Sequence, residues 1–461
     1  MGFELPAELM VSVSGVRGRV GEALTPEIVV RFASAFGSWV RSRSAGRPRV
    51  IVARDSRTSG PMFERAVIAA LQSRGCDVVH VGLAPTPTAL LSVRHHHAAG
   101  AVVVTASHNP VEWNALKFAS ATGMFLDAEE APAMRAFLAS PTAYLAEWDG
   151  IGEVEADHAA IRRHLDAVLA TPYLDIERLR ARRFRVALDC VRGAGSALLP
   201  PLLEALGCEV HGINTEADGR FPRPPEPVAE NLGDLEKLVL QTGADIGLAT
   251  DPDADRLSLV SNNGRAIGED YTLAIATWLI LRHRTGPVVT NLSTSRVVED
   301  VAQAMGAPFE RAPVGEIHVA RAMERSGAVI GGEGNGGVIL PDVQLTRDSA
   351  VATALVLQAL LEAGQPLDRF AGTFSSYQIV KDKLPRGSAA IETAYGILEE
   401  RLVAPAADRR DGLRLEWPEA RQWLHLRASG TEPILRIIAE APTREGAVRL
   451  VDAAREALAG T

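Results

Sequence analysis

Residues 49–54 read Arg-Val-Ile-Val-Ala-Arg, a strand-like run, and the pattern that follows them decides the fold. A polar turn over 55–60 leads into a helical stretch over 61–74, then a glycine turn and a second apolar run over 77–81. The plan returns as a strand over 185–189, a turn over 190–196, a helix over 197–206, Gly207 and a strand over 209–213. It returns again as a strand over 287–290, a turn over 291–295, a helix over 296–305, Gly306 and a strand over 308–311. Strand, polar turn, helix and strand describe a βαβ unit, which favours parallel or mixed sheets with helices on both faces. From about residue 377 the pattern changes to Gly and Pro breaks between short runs such as 423–426 and 434–438, closed by a helix over 444–459. The expected fold is therefore α/β: three similar βαβ-type mixed-sheet domains over 1–155, 156–260 and 261–373, then a smaller α+β domain over 374–461.

A chain of 461 residues exceeds one small core, so two to four domains are expected. The formal charge of −9 argues against broad nucleic-acid binding, which needs a basic face. A phosphorylated substrate would need local clusters of Arg and backbone N–H groups against that field. Cys76, Cys190 and Cys208 form neither a disulfide framework nor a metal-ligand spacing, and read as small core hydrophobes in a reducing compartment. No signal peptide is visible, and the apolar stretch 271–281 is too short to span a bilayer, which points to the cytoplasm. Lysine occurs only at 117, 237, 381 and 383, so any lysine within a chemical motif draws attention.

Four motifs carry chemistry. Thr105-Ala-Ser-His-Asn-Pro110 follows an apolar run, so a strand delivers Ser107 into a tight turn at its carboxyl end, with His108 able to shuttle a proton. Asp251-Pro-Asp-Ala-Asp-Arg256 sets three carboxylates at alternate positions, able to converge on one hard cation of the Mg²⁺ type. A calcium EF-hand loop fails there, because Arg256 and Asn262 stand where Gly and Glu are required. Gly331-Gly-Glu-Gly-Asn-Gly-Gly337 lets backbone approach a ligand closely, while Glu333 and Asn335 can read hydroxyls. Arg427-Ala-Ser-Gly-Thr-Glu-Pro433 offers a guanidinium, the hydroxyls of Ser429 and Thr431 and the N–H groups around Gly430 to a phosphate, and Arg436 can add charge.

In order and position these motifs resemble the α-D-phosphohexomutase family along essentially the whole chain. The resemblance implies four domains around a central cleft, and interconversion of hexose 6-phosphate and hexose 1-phosphate. It makes Ser107 the phosphoryl carrier and gives Asp251, Asp253 and Asp255, with a phosphoserine oxygen, to Mg²⁺, Arg256 sitting beside them. Glu333 and its loop would read the sugar, and Arg427, Ser429 and Thr431 would grip the remote phosphate. Ser14-Gly-Val-Arg-Gly18 resembles the family's N-terminal loop, making Arg17 a site candidate, and Arg54-Asp-Ser-Arg57 resembles a segment that shapes the serine site. Lys117 and His108 are the expected proton-handling pair, with Glu316 a third candidate. The sugar would be doubly phosphorylated midway, so a hexose 1,6-bisphosphate is the expected activator. The expected partners are small sugar phosphates, without nucleic acid or membrane, for a monomer or homodimer.

Three departures from the family pattern stand out: Val13 for a common Thr, Ala115 for a common Gly, and Asn335 with Gly337 where many members carry Ser and His. The last form resembles that of archaeal-type phosphoglucosamine mutases and related mannose/glucose enzymes; glucosamine phosphate is the expected sugar, with mannose and glucose phosphates as alternatives. Two other readings compete: a phosphatase with an aspartyl nucleophile in 251–255, and a silent sugar-phosphate sensor. The run His95-His96-His97 reads as surface, because adjacent helical residues point in different directions.

Overall fold

The computed structural model describes residues 5–13, 15–140, 142–385, 391–428 and 434–459. In the first sheet, Arg49–Arg54 lies parallel to Asp77–Leu83 on one side and to Gly100–Val104 on the other. Trp113–Ser120 then returns antiparallel beside Gly100–Val104. Gly15–Arg19 and Met10–Ser12 extend that edge, and Val154–Ala156 the other, giving seven strands.

The second sheet repeats the four-strand centre. Arg185–Asp189 is parallel to Glu209–Ile213 and Ile246–Thr250, and Leu257–Ser261 returns antiparallel. The third repeats it again, with Val288–Asn291 between Phe309–Ala312 and Ile330–Glu333, and Gly337–Ile339 returning. The repeat legible in the sequence stops after the second strand. The folded repeat continues through a third parallel strand and a hairpin. One helix also differs from expectation: the stretch 197–206 opens with a 3₁₀ turn, Ala194–Ala197, and is α-helical only over Leu199–Ala205. Pro200 and Pro201 have no N–H to donate, so they suit a helix's first turn and not its interior.

A single apolar core runs from the second sheet into the third. At its centre, helices Asp270–His283 and Ser349–Ala363 pack on each other and are apolar on nearly every side, as helices buried all round must be. Asp348 caps the second of these, its carboxylate accepting from the N–H groups of Ala350 and Val351, and Gly364 ends it at φ +63°. Each leucine fully buried there contributes about 1.5–3 kcal/mol. The last unit is a five-stranded antiparallel sheet, ordered Gln378–Pro385, Ile434–Ala441, Gln422–Ala428, Leu413–Trp417 and Ala406–Asp408. Helices Ile391–Leu402 and Arg444–Leu458 cover its inner face.

Polar contacts dock that unit on the third. Glu440, fully buried, accepts from the Arg296 N–H at 3.0 Å and from Trp423 Nε1 at 2.7 Å. His425 donates from Nε2 to the Asp411 carbonyl (2.7 Å), which leaves Nδ1 to accept from Ser293 Oγ (2.9 Å). Burial disfavours its charged form and lowers its pKa to about 4. In the unfolded chain the same group titrates near 6.5. The unfolded state therefore takes up the extra proton first, so this stability is complete above pH ~6.5 and is lost as pH falls toward 4. Denaturant unfolding at pH 7 and pH 4.5 should show the parent losing about 2–3 kcal/mol more than His425→Gln between those conditions. Equal losses would remove His425 from the acid response.

Candidate functional site

Each repeat turns from its third to its fourth strand by a hairpin, and three of the chemical motifs occupy these three hairpins. Residues 105–112 join Gly100–Val104 to Trp113–Ser120, 251–256 join Ile246–Thr250 to Leu257–Ser261, and 334–336 join Ile330–Glu333 to Gly337–Ile339. All three therefore lie at the carboxyl ends of parallel strands, where α/β proteins form ligand sites. In the third, Gly336 adopts φ +85°, and a Cβ there would meet the Leu257 carbonyl at 2.4 Å. That close approach carries the Leu257 N–H to Gly336 O (2.9 Å) and ties the glycine-rich loop to the acidic loop.

Ser107 is buried at φ +49°, a left-handed conformation that costs a non-glycine residue free energy. The surrounding bonds hold it there. The Ser107 N–H donates to Thr105 Oγ1 (2.9 Å), which donates to Asp55 Oδ2 (2.6 Å). Arg57, fully buried, donates to Asp55 Oδ2 (3.1 Å) and to the carbonyls of Ser107 (2.7 Å), Asn109 (2.6 Å), Pro110 (2.6 Å) and Trp113 (2.9 Å). One guanidinium thus fixes the whole serine loop. Arg17 reaches Asn109 Oδ1 at 3.1 Å.

Ser107 Oγ donates to Asp251 Oδ2 at 2.9 Å, which brings the serine and acidic loops together. Asp251, Asp253 and Asp255 are fully buried, with one carboxylate oxygen of each within 4.8 Å of the others. Asp253 accepts from Lys117 Nζ (2.8 Å) and Thr86 Oγ1 (2.7 Å), and Asp255 pairs with Arg347. Burial, then Asp255 and Asp253, push the Asp251 pKa well above the carboxylate range. Burial would also raise Asp253, but Lys117 and Thr86 hold it below that range. Oδ1 of Asp253 and Oδ1 of Asp255 are buried without hydrogen-bond partners. Unpartnered hard oxygens among converging carboxylates fit a divalent cation of the Mg²⁺ type.

Arg256 Nη2 donates to His108 Nδ1 at 2.9 Å, and Arg256, then burial and Arg17, depress the His108 pKa well below its ordinary value. His108 is thus neutral, with Nδ1 3.4 Å from Ser107 Oγ. Burial would lower the Lys117 pKa, but Asp253 and Asp255 raise it, so this ammonium stays charged.

Glu333 accepts from Asn291 Nδ2 (2.7 Å), the Gly315 N–H (3.1 Å) and Arg347 Nη1 (2.6 Å). Glu316 lies behind that arginine, with Oε2 3.2 Å from Arg347 Nε. Arg347 therefore joins Asp255, Glu316 and Glu333, although no motif contains it. Its only sequence signal is its place before Asp348, the cap of an apolar helix.

A cleft of about 470 Å³ gathers residues from all four units: His108 from the first, Glu226 from the second, Asn291, Glu333 and Asn335 from the third, and Arg427 and Arg436 from the last. Asp270, Lys381 and Lys383 also line it, and no motif signalled them. Arg427 pairs with Asp411 at 3.2 Å. Ser429, Gly430 and Thr431 lie outside the described residues. Among the described residues the Asp triad is the one group of three or more His, Cys, Asp or Glu able to hold a metal, and His96 instead pairs with Asp157 at 2.8 Å. Burial pushes the three thiols up to about 12, so they stay protonated and inert.

Models of the phosphoglucomutase/phosphomannomutase alpha/beta/alpha domains I, II and III match residues 9–144, 162–264 and 268–377, and that of the C-terminal domain matches 381–457. The chain belongs to the phosphoglucomutase/phosphomannomutase family. A phosphoglucomutase/phosphomannomutase of Thermococcus kodakarensis is 39% identical over 437 residues, 94% of each chain. A probable phosphoglucosamine mutase of Methanopyrus kandleri is 37% identical over 443 residues, 95% of each. The crystal structure of a phosphoglucomutase/phosphomannomutase family protein from Burkholderia thailandensis, 25% identical, aligns with a TM-score of 0.84 over 97% of this chain and 96% of that one. The mutase is thus a phosphohexomutase, an enzyme of the isomerase class, in the four-domain α/β architecture. No helix among its described residues is long and apolar enough to cross a membrane.

Removing the Arg57 guanidinium would leave Asp55 buried without its cation and four loop carbonyls without their donor. Arg57→Met should lose about 3–5 kcal/mol in urea unfolding and most mutase activity. A variant of parental stability and rate would show that the serine loop holds itself.

Proposed function

We propose that this mutase interconverts hexose 6-phosphate and hexose 1-phosphate through a phosphoryl group carried on Ser107, with glucosamine phosphate as its preferred sugar. The observation that carries the reading is the 2.9 Å bond from Ser107 Oγ to Asp251 at the edge of a cleft whose far wall bears Arg427 and Arg436. A sugar phosphate gripped by its unreactive phosphate on that wall would present its free hydroxyl to phosphorylated Ser107. The phosphoryl group passes from Ser107 Oγ to that hydroxyl, whose proton goes to a base, His108 or Glu316, while Lys117, kept charged by Asp253 and Asp255, would be the proton donor of the pair. The hexose 1,6-bisphosphate then turns within the cleft and returns its other phosphoryl group to Ser107 Oγ. An unphosphorylated chain is charged by the same bisphosphate. Mg²⁺, held by Asp251, Asp253 and Asp255 with a phosphoserine oxygen, would draw off charge from the phosphoryl group. Glu333 and Asn335 would accept and donate at the sugar hydroxyls, Arg256 would flank the metal loop, Arg17 would brace Asn109, and Ser429, Gly430 and Thr431 would complete the phosphate grip.

The choice of sugar rests on the Glu333–Gly337 loop and on the relative of Methanopyrus kandleri, named a probable phosphoglucosamine mutase. The relative of Thermococcus kodakarensis, named for glucose and mannose phosphates, favours those as the second reading. Domain limits near 155, 260 and 373, work on small sugar phosphates in the cytoplasm, and a monomeric or homodimeric state belong to the same proposal.

Intact mass of the purified chain, with peptide mapping of Ser107, should show one phosphoryl group there that hexose monophosphates remove. Ser107→Ala should lose activity by several orders of magnitude; retained activity would transfer the chemistry to an aspartyl nucleophile. Among glucosamine, mannose and glucose 6-phosphates, the first should give the highest kcat/KM. A higher value for either of the others would overturn the sugar assignment and leave the mutase reading intact.

A further inference from the structure

Forty-eight positions carry Lys or Arg, yet lysine stands only at 117, 237, 381 and 383. Lys117 holds Asp253, and Lys237 lies exposed beside Asp234. Both remaining lysines, on the strand Gln378–Pro385, line the cleft. Strand alternation explains why. Val380 and Leu384 pack into the core of the last unit, and Asp382, though it too borders the cleft, pairs with Arg455 of the helix behind, so Lys381 and Lys383 face the other way.

The register then fixes a row. Lys383 pairs with Arg436, and Arg436 pairs with Arg427, so three cations sit side by side on one face of three neighbouring strands. Cross-strand partners project to the same side, and like charges directly opposite are unfavourable. Asp411 takes Arg427 at one end of the row, and Glu269 lies 3.7 Å from Lys381 beside the other. The Lys383 ammonium has no hydrogen-bond or ion-pair partner among the described residues. An anion of two charges in the cleft would relieve that repulsion.

We infer that Lys383 is a further phosphate-binding residue of the cleft, extending the grip of Arg427 and Arg436 to a phosphate monoester, and that it retains the bisphosphate while the sugar turns. The inference rests on the mutase reading above. An arginine fork commits to one bidentate geometry, whereas an ammonium on a flexible stem keeps its donors on a phosphate that changes orientation. That difference gives a lysine a use here that another arginine would not serve as well.

Calorimetric titration of the full chain with glucose 1,6-bisphosphate reads the contact without turnover. Lys383→Met should weaken binding about ten-fold, the loss expected of one charge-assisted hydrogen bond. Lys383→Arg should recover most of that affinity, and Lys237→Met should bind as the parent does. During turnover, Lys383→Met should also release more free bisphosphate per catalytic cycle. Parental affinity and parental bisphosphate release in Lys383→Met would overturn the inference while the mutase reading stood. A parent chain that bound no hexose bisphosphate and turned over no hexose phosphate would sink both.

Discussion

Five carboxylates buried around one point set the terms for this molecule. Asp251, Asp253 and Asp255 converge in the second unit, with Glu316 and Glu333 of the third beside them. Within hydrophobic walls such charges repel strongly, and each is costly without a partner. Their cations come from three different units: Lys117 from the first sheet, Arg256 from the acidic loop itself, and Arg347 from ahead of a helix in the third. No unit can neutralise its own share. The arrangement of the first three units about one another is therefore the arrangement that pairs these charges, and the functional cleft forms where they meet.

The threefold repetition supplies the geometry that this pairing needs. A strand order of second, first, third, fourth in each repeat puts a hairpin at the same corner of each sheet. One hairpin carries Ser107, one the Asp triad and one the loop after Glu333. Two of these contain a non-glycine residue at positive φ, Ser107 and Ala254, held by the hydrogen bonds and packing around them. The fold's rigid strands thus aim three flexible chemistries at one volume, and the last sheet closes the fourth side with arginine and lysine.

Global and local electrostatics point in opposite directions. The chain carries a formal charge of −9, yet the last sheet presents a cation row to the cleft and Arg17 and Arg256 stand near the serine. A phosphorylated ligand meets an unfavourable field at a distance and a favourable one inside. On the proposed reading, that contrast would favour compact dianions that can enter the cleft over extended polyanions that cannot.

Much of this was readable before folding. The βαβ plan follows from short apolar runs, turns and helical stretches, which are local signals. The candidate site residues announce themselves because Ser-His-Asn-Pro, alternating aspartates and clustered glycines are side-chain chemistry written in consecutive positions. The strand order, the hairpin placement and the residues that act across units were not readable. Arg57, although within a recognised segment, shows its clamp on four carbonyls only when the serine loop folds over it. Arg347 and Lys383 carry no motif: Arg347 meets Asp255 from ninety-two positions away, and Lys383 comes to lie beside Arg436 from fifty-three. Sequence determines what each segment can do, since propensity and side-chain chemistry act over a few residues. Tertiary structure decides which charges meet, because pairing across sheets depends on burial and register that no local stretch contains.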